Sequence, residues 1–160
     1  MPAILPHRRR IVVPSFVGLL LVSALASADQ PPPPSDDSGV LRIDVLQIQN
    51  DKGQIGCSLY SKQDGFPSDS KKALQSMFVK PKGKKAVCTF RDVKPGTYAV
   101  SIMHDLDKSG DLETSLVGRP KEPWGVSNDV PAERFGPPKY EAATFKYSGK
   151  ATTLKIKLHE

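Results

Sequence analysis

The sequence predicts an all-β domain, an antiparallel two-sheet sandwich with one short helix and one long irregular loop. Three observations carry that expectation. From residue 40 onward apolar side chains recur mostly at every second position, the period of a strand with one buried face. Gly, Pro, Asn and Asp break these runs at short intervals, as turns between strands do. The chain has 160 residues with 15 prolines and 12 glycines. That length suits one domain and excludes a barrel of eight βα units or a complete dinucleotide-binding enzyme.

In chain order, Leu41, Ile43 and Val45 alternate with Arg42 and Asp44, and Leu46 and Ile48 continue in the opposite phase. The slip at Val45–Leu46 predicts a β-bulge that returns the same face inward. Asn50-Asp51-Lys52-Gly53 predicts a turn. Ile55, Cys57 and Leu59 form the inward set of the next strand, Ala86, Cys88 and Phe90 that of another, and Tyr98, Val100 and Ile102 that of a third. Asp69 to Met77 predicts the helix, because Asp69 or Ser70 can cap it and Ala73, Leu74 and Met77 share a side. Thr144 to Tyr147 leads through Ser148-Gly149-Lys150 to Leu154, Ile156 and Leu158, with Lys155 and Lys157 on the wet face. Pro95-Gly96-Thr97-Tyr98 predicts a turn feeding a strand. Its Gly-x-Tyr resembles the tyrosine corner of immunoglobulin-like sandwiches, with Lys94 where that motif has aspartate. An immunoglobulin-like or prealbumin-like arrangement is the expectation.

The segment before residue 40 is expected to lie outside the fold. His7-Arg8-Arg9-Arg10 precedes an apolar run from Ile11 to Ala26, and Ala26-Ser27-Ala28 closes it. A basic start, a greasy middle and a small-x-small end predict a signal peptide over 1–28, cut after Ala28. The run is shorter than the roughly 20 residues of a spanning helix, so no membrane span is expected after cleavage. The chain is read as exported, periplasmic or secreted. Residues 29–39, with Pro31 to Pro34 in sequence, read as an extended proline-rich tether. A single β-sandwich domain follows over 40–160.

Charge excludes one class of partner. The whole chain carries +6, and residues 1–28 hold three arginines and no acid. The remaining balance is +3, without an aromatic-interleaved basic stripe, which argues against nucleic acid. Cys57 and Cys88 are the only cysteines and both fall on inward parity. An oxidising compartment favours a disulfide between them. Two buried free thiols are the other reading.

Site chemistry concentrates in one stretch. His104-Asp105-Leu106-Asp107-Lys108-Ser109-Gly110-Asp111-Leu112-Glu113 follows a predicted strand. Alternating oxygen side chains with glycine at the sixth place resemble a Ca²⁺ loop, in which one tight turn aims several oxygens at a centre. Asp105, Asp107, Ser109, Asp111 (through its carbonyl) and Glu113 are the candidate ligands. Leu116 stands where an EF-hand has its bidentate glutamate, so Glu122, Asn128 or Asp129 would complete the sphere. The other reading is a solvated turn whose side chains cap their own backbone. His104 is either a base or ligand, or a buried packing residue. No three-histidine zinc site, serine-hydrolase elbow or glycine-rich phosphate loop exists.

Residues 116–141 form the long irregular stretch, and such loops are often functional. Trp124, Asn128, Arg134, Phe135 and Tyr140 are its candidate binding residues, with His104 at the neighbouring strand end. The aromatics could instead pack onto the sandwich and cover a sheet edge.

Several segments together resemble a bacterial exported family known only as domain of unknown function 2141. They are Asp51-Lys52-Gly53-Gln54-Ile55, Pro95-Gly96-Thr97-Tyr98-Ala99-Val100, His104-Asp105 with Asp107-x-Ser109-Gly110, Gly125-Val126-Ser127-Asn128, and Arg134-Phe135-Gly136-Pro137-Pro138. The resemblance runs from about Leu41 to Leu158. In that family asparagines usually flank the loop glycine, where this chain has Asp107 and Ser109. The resemblance implies an exported single β-sandwich and no activity. The expected function is non-enzymatic binding of a small ligand or envelope partner through loops 104–140, with Ca²⁺ ordering the loop. The alternative is a small periplasmic hydrolase or metal-assisted enzyme using His104, Asp105 and Asp107.

Overall fold

The computed structural model describes residues 38–112, 120–131 and 136–159. The expected signal peptide, the tether as far as residue 37, Glu113, Arg134 and Phe135 lie outside the described residues. Among the described residues eight strands form: β1 (Leu41–Leu46), β2 (Gln54–Tyr60), β3 (Gln75–Val79), β4 (Ala86–Phe90), β5 (Gly96–Asp105), β6 (Trp124–Val126), β7 (Phe145–Tyr147) and β8 (Thr152–Lys157). One helix, α1 (Tyr140–Ala143), precedes β7.

Period-two alternation sorts these strands into two sheets. The three-stranded sheet runs β4-β1-β8, and the five-stranded sheet runs β3-β2-β5-β6, with β7 also paired to β5. Their inward sets meet in one core: Leu41, Ile43 and Val45 from β1, Ile55, Cys57 and Leu59 from β2, Cys88 and Phe90 from β4, Val100 and Ile102 from β5, and Ile156 from β8. The Cys57–Cys88 disulfide crosses this core from β2 to β4 and so ties the two sheets together. Among the described residues no helix is long and apolar enough to cross a membrane.

Three local expectations are corrected. The phase slip after Val45 is absorbed by Gln47, whose φ is +63°, beyond the end of β1. A single left-handed residue turns Ile48 back into the core without a bulge in the ladder. The helix expected over 69–77 shrinks to one 3-10 turn, Ser70–Lys72, where Asp69 accepts the Lys71 N–H. Ala73 is already extended, and Met77 belongs to β3. Strand wins there because Met77 and Val79 alternate with Ser76 and Phe78 and the edge of β2 is free to pair. Among the described residues the lone α-helix lies instead at 140–143, across the end of the 116–141 stretch read as irregular, which also contains β6.

The remaining correction concerns strand direction. All other pairs are antiparallel, but β8 lies parallel to β1. The chain arrives at β8 from β7 in the opposite sheet, so no hairpin dictates its direction.

Turns are held by polar side chains. Tyr98 donates its hydroxyl to the Lys94 carbonyl at 2.9 Å, so the corner forms through backbone and the side chain at 94 is immaterial. Between β3 and β4, the Lys82 and Lys85 backbones bond each other across Gly83 and Lys84, both at positive φ as a type I′ turn requires. The Asp51 carboxylate accepts the Gly83 and Lys84 N–H groups at 2.7 and 2.6 Å.

The disulfide closes a 31-residue separation, for which loop-entropy reasoning gives roughly 3–4 kcal/mol. Cys57→Ala/Cys88→Ala should lose about that much in urea melts; an undiminished midpoint would contradict it. Gly125→Ala should also destabilise strongly, since a methyl there would meet the Lys157 carbonyl.

Candidate functional site: a banded sheet face and an acidic loop

Strand register organises the outer face of the five-stranded sheet into rows. Gln54 lies opposite Asp105 in the first row. The second runs Phe78, Gly56, Met103, Trp124 across four strands. The third runs Ser76, Ser58, Ser101, Val126. Alternation along each strand produces this banding, because residues two apart share a face.

The apolar and serine rows line a narrow, partly enclosed cleft with about 20 Å³ of free volume. Gly56 is its low floor: a Cβ there would stand 3.0 Å from both Met103 and Phe78. Phe78 is 45% exposed, whereas Trp124 is nearly covered. No charged side chain is among the lining residues. The hydroxyls are engaged: Ser58 with Ser76 at 2.9 Å, and Ser101 donating to the Pro67 carbonyl at 2.8 Å. Burial pushes the Tyr60 phenol above its ordinary value. Below the cleft a second apolar cluster covers the sheet, with Ala99, Trp124, Val126 and Ala143 packed by Phe66 and Tyr140.

The acidic loop stands at the head of this face, and its Gly110 and Leu112 form part of the cleft wall. Asp105 is fully buried. Its carboxylate accepts N–H bonds from Ser109 and Gly110, each 3.0 Å, and from Gln54 Nε2 at 2.8 Å. Asp107 accepts the same Ser109 N–H at 3.0 Å. Glu122 reaches in from before β6 and accepts the Leu106 N–H at 2.7 Å. One carboxylate oxygen from each of Asp105, Asp107 and Glu122 lies within 4.8 Å of the others. Such a group can hold a hard cation, which prefers oxygen ligands.

The other expected ligands are placed differently. The Ser109 hydroxyl donates to the Asp111 carbonyl at 3.2 Å, so both groups engage each other. Asp129 accepts the Lys157 N–H, and Asn128 donates to the Ala142 and Thr144 carbonyls. Both serve the β8 and α1 side of the domain. Tyr140 packs edge-on against Phe66 at 5.5 Å. His104 is fully buried, with Nε2–H donating to the Lys52 carbonyl at 2.8 Å. It points to the opposite side of β5 from Asp105, as neighbours on a strand must. The ring therefore pins the Asn50–Gly53 turn to β5.

Phe78, Gly56, Met103 and the serines were not singled out from sequence. Gly56, Ser58, Ser101 and Met103 all occupy outward parity in recognised strands, which is the signal that could have found them. Phe78 lies one residue past the 69–77 stretch read as helical, a reading that left β3 unrecognised.

A family model described as an uncharacterized protein conserved in bacteria (DUF2141) matches residues 43–155. The chain belongs to this family. No curated protein and no solved structure matches it. The matched span of this DUF2141 chain takes in the described cleft and the acidic loop.

Backbone N–H bonds from Ser109 hold the Asp107 carboxyl below its ordinary 3.8, and those from Lys84 and Gly83 do the same for Asp51. A depressed carboxyl contributes stability above its unfolded value and loses it as pH falls through the folded value. Stability should therefore decline below about pH 4. Asp51→Asn/Asp107→Asn should flatten that decline in urea melts taken at about pH 5 and about pH 3. An equally steep acid limb would count against both clamps.

Proposed function

We propose that this chain is an exported, non-enzymatic module that binds a small ligand or envelope partner at the cleft, with Ca²⁺ ordering the acidic loop that walls it. The observation that carries this reading is the Phe78–Gly56–Met103–Trp124 row, an uncharged trough ending against Gly110 and Leu112. Within that row Phe78 is exposed and Met103 half-buried, and apolar side chains left in contact with water beside a cleft are a usual mark of a binding site. The cation supports the wall: Asp105, Asp107 and Glu122 bring one carboxylate oxygen each within 4.8 Å of the others, the hard oxygen ligands that Ca²⁺ takes. Export is supported by the signal-like pattern of residues 1–28 and by a core disulfide, which suits an oxidising compartment.

Calorimetry at millimolar Ca²⁺ should show binding heat and a raised melting temperature, and Asp107→Ala should weaken binding at least about tenfold, the loss of one charged ligand. Neither heat nor a thermal shift in the unaltered chain would sink the calcium component. The cleft is tested separately with phenylnaphthylamine, a neutral apolar dye, read through Trp124, the single tryptophan. Dye binding should be lost in Gly56→Leu, which fills the floor; unchanged binding would reject the cleft. Fractionation of expressing cells with intact-mass measurement tests export, and a cytoplasmic chain still carrying residues 1–28 would refute it.

A further inference from the structure

The turn between β3 and β4 reads Lys80-Pro81-Lys82-Gly83-Lys84-Lys85. All four lysines are exposed, and Lys52 is exposed beside them on the Asp51 turn. None of these five forms an ion pair among the described residues. The tip is held in place from beneath. Pro81 is fully buried, and Asp51 clamps the Gly83 and Lys84 N–H groups. Lys84 sits at φ +56°, in a turn position where Gly, Asn or Asp is the favoured residue. A lysine kept at a disfavoured backbone position points to a use for its charge.

We propose that this lysine tip is a docking surface for the anionic headgroups of a lipid membrane. Its shape chooses among anions. The tip protrudes, and the cleft on the five-stranded sheet is not lined by these lysines. The N–H groups that could cradle a small phosphate are already taken by Asp51. No aromatic residue lies within 80–85 to stack on a nucleic-acid base. A flat anionic surface needs only an array of ammonium groups on a projecting point, each adding to the attraction. The acidic loop follows β5, two strands from β3 in the sheet order. At about 4.8 Å per strand that is about 10 Å, one Debye length at about 0.1 M salt. At that separation salt weakens its repulsion while the tip touches the surface.

Co-sedimentation tests this with phosphatidylcholine vesicles containing about a third phosphatidylglycerol, at about 0.1 M salt, against phosphatidylcholine alone. The chain is compared in one form throughout, so any contribution from its N-terminal segment cancels. It should bind the anionic vesicles and release them at about 0.5 M salt. Lys82→Gln/Lys84→Gln/Lys85→Gln should lose about 100-fold in affinity, at about fivefold per charge. Lys146→Gln/Lys150→Gln/Lys155→Gln removes the same charge from exposed sites elsewhere and should stay within about threefold of the parent. Equal losses in the two triple variants would overturn the proposal in favour of net charge. Equal binding to neutral vesicles, no vesicle binding, or binding only to heparin as a soluble polyanion would also overturn it. Unchanged melting temperatures certify that each variant is folded.

Discussion

Ten consecutive extended residues, Gly96–Asp105, carry most of what is distinctive about this molecule. β5 pairs with β2 along one edge and with β7 and β6 in succession along the other. Its alternation therefore divides the domain: Tyr98, Val100, Ile102 and His104 project toward the core side, and Ala99, Ser101, Met103 and Asp105 toward the outer face. A one-residue slip would exchange these sets, putting a carboxylate in the sandwich and turning Val100 and Ile102 out of the core. The register is secured where it matters, with Gly53 packed against the Asp105 carbonyl and His104 bonded to Lys52.

The ends of the strands are ordered by short polar side chains rather than by helices. Asp105, Asp51 and Glu122 each accept backbone N–H groups from a neighbouring turn, and Asn128 and Ser127 tie α1 to the sheet. Such bonds satisfy backbone groups that water would otherwise have to reach. They also fix charge in space. Strand order separates the acidic loop after β5 from the lysine tip after β3, so one end of the sandwich presents two regions of opposite sign.

Much of this was legible along the chain. The inward sets of β1, β2, β4, β5 and β8, the cysteine pair and the Asp105–Gly110 turn follow from parity and local turn chemistry, both properties of neighbouring residues. Errors arose where two local patterns competed. Ala73, Leu74 and Met77 fit a helix face, yet Ser76 to Val79 also fit a strand, and the open edge of β2 decided between them. The slip at Val45–Leu46 had two local solutions, and a left-handed Gln47 was the one used.

Sequence alone determined which side chains could face a shared interior, because pleating forces alternate residues to opposite faces whatever the partners. It also determined that acids gather after β5 and lysines before β4. Only the tertiary structure decided what stands beside what. Phe78, Gly56, Met103 and Trp124 come from four strands spread over 69 positions between Gly56 and Trp124, and no local rule relates them. Glu122 joins Asp105 and Asp107 for the same reason. Cross-strand register is a long-range quantity, set by packing the core as a whole.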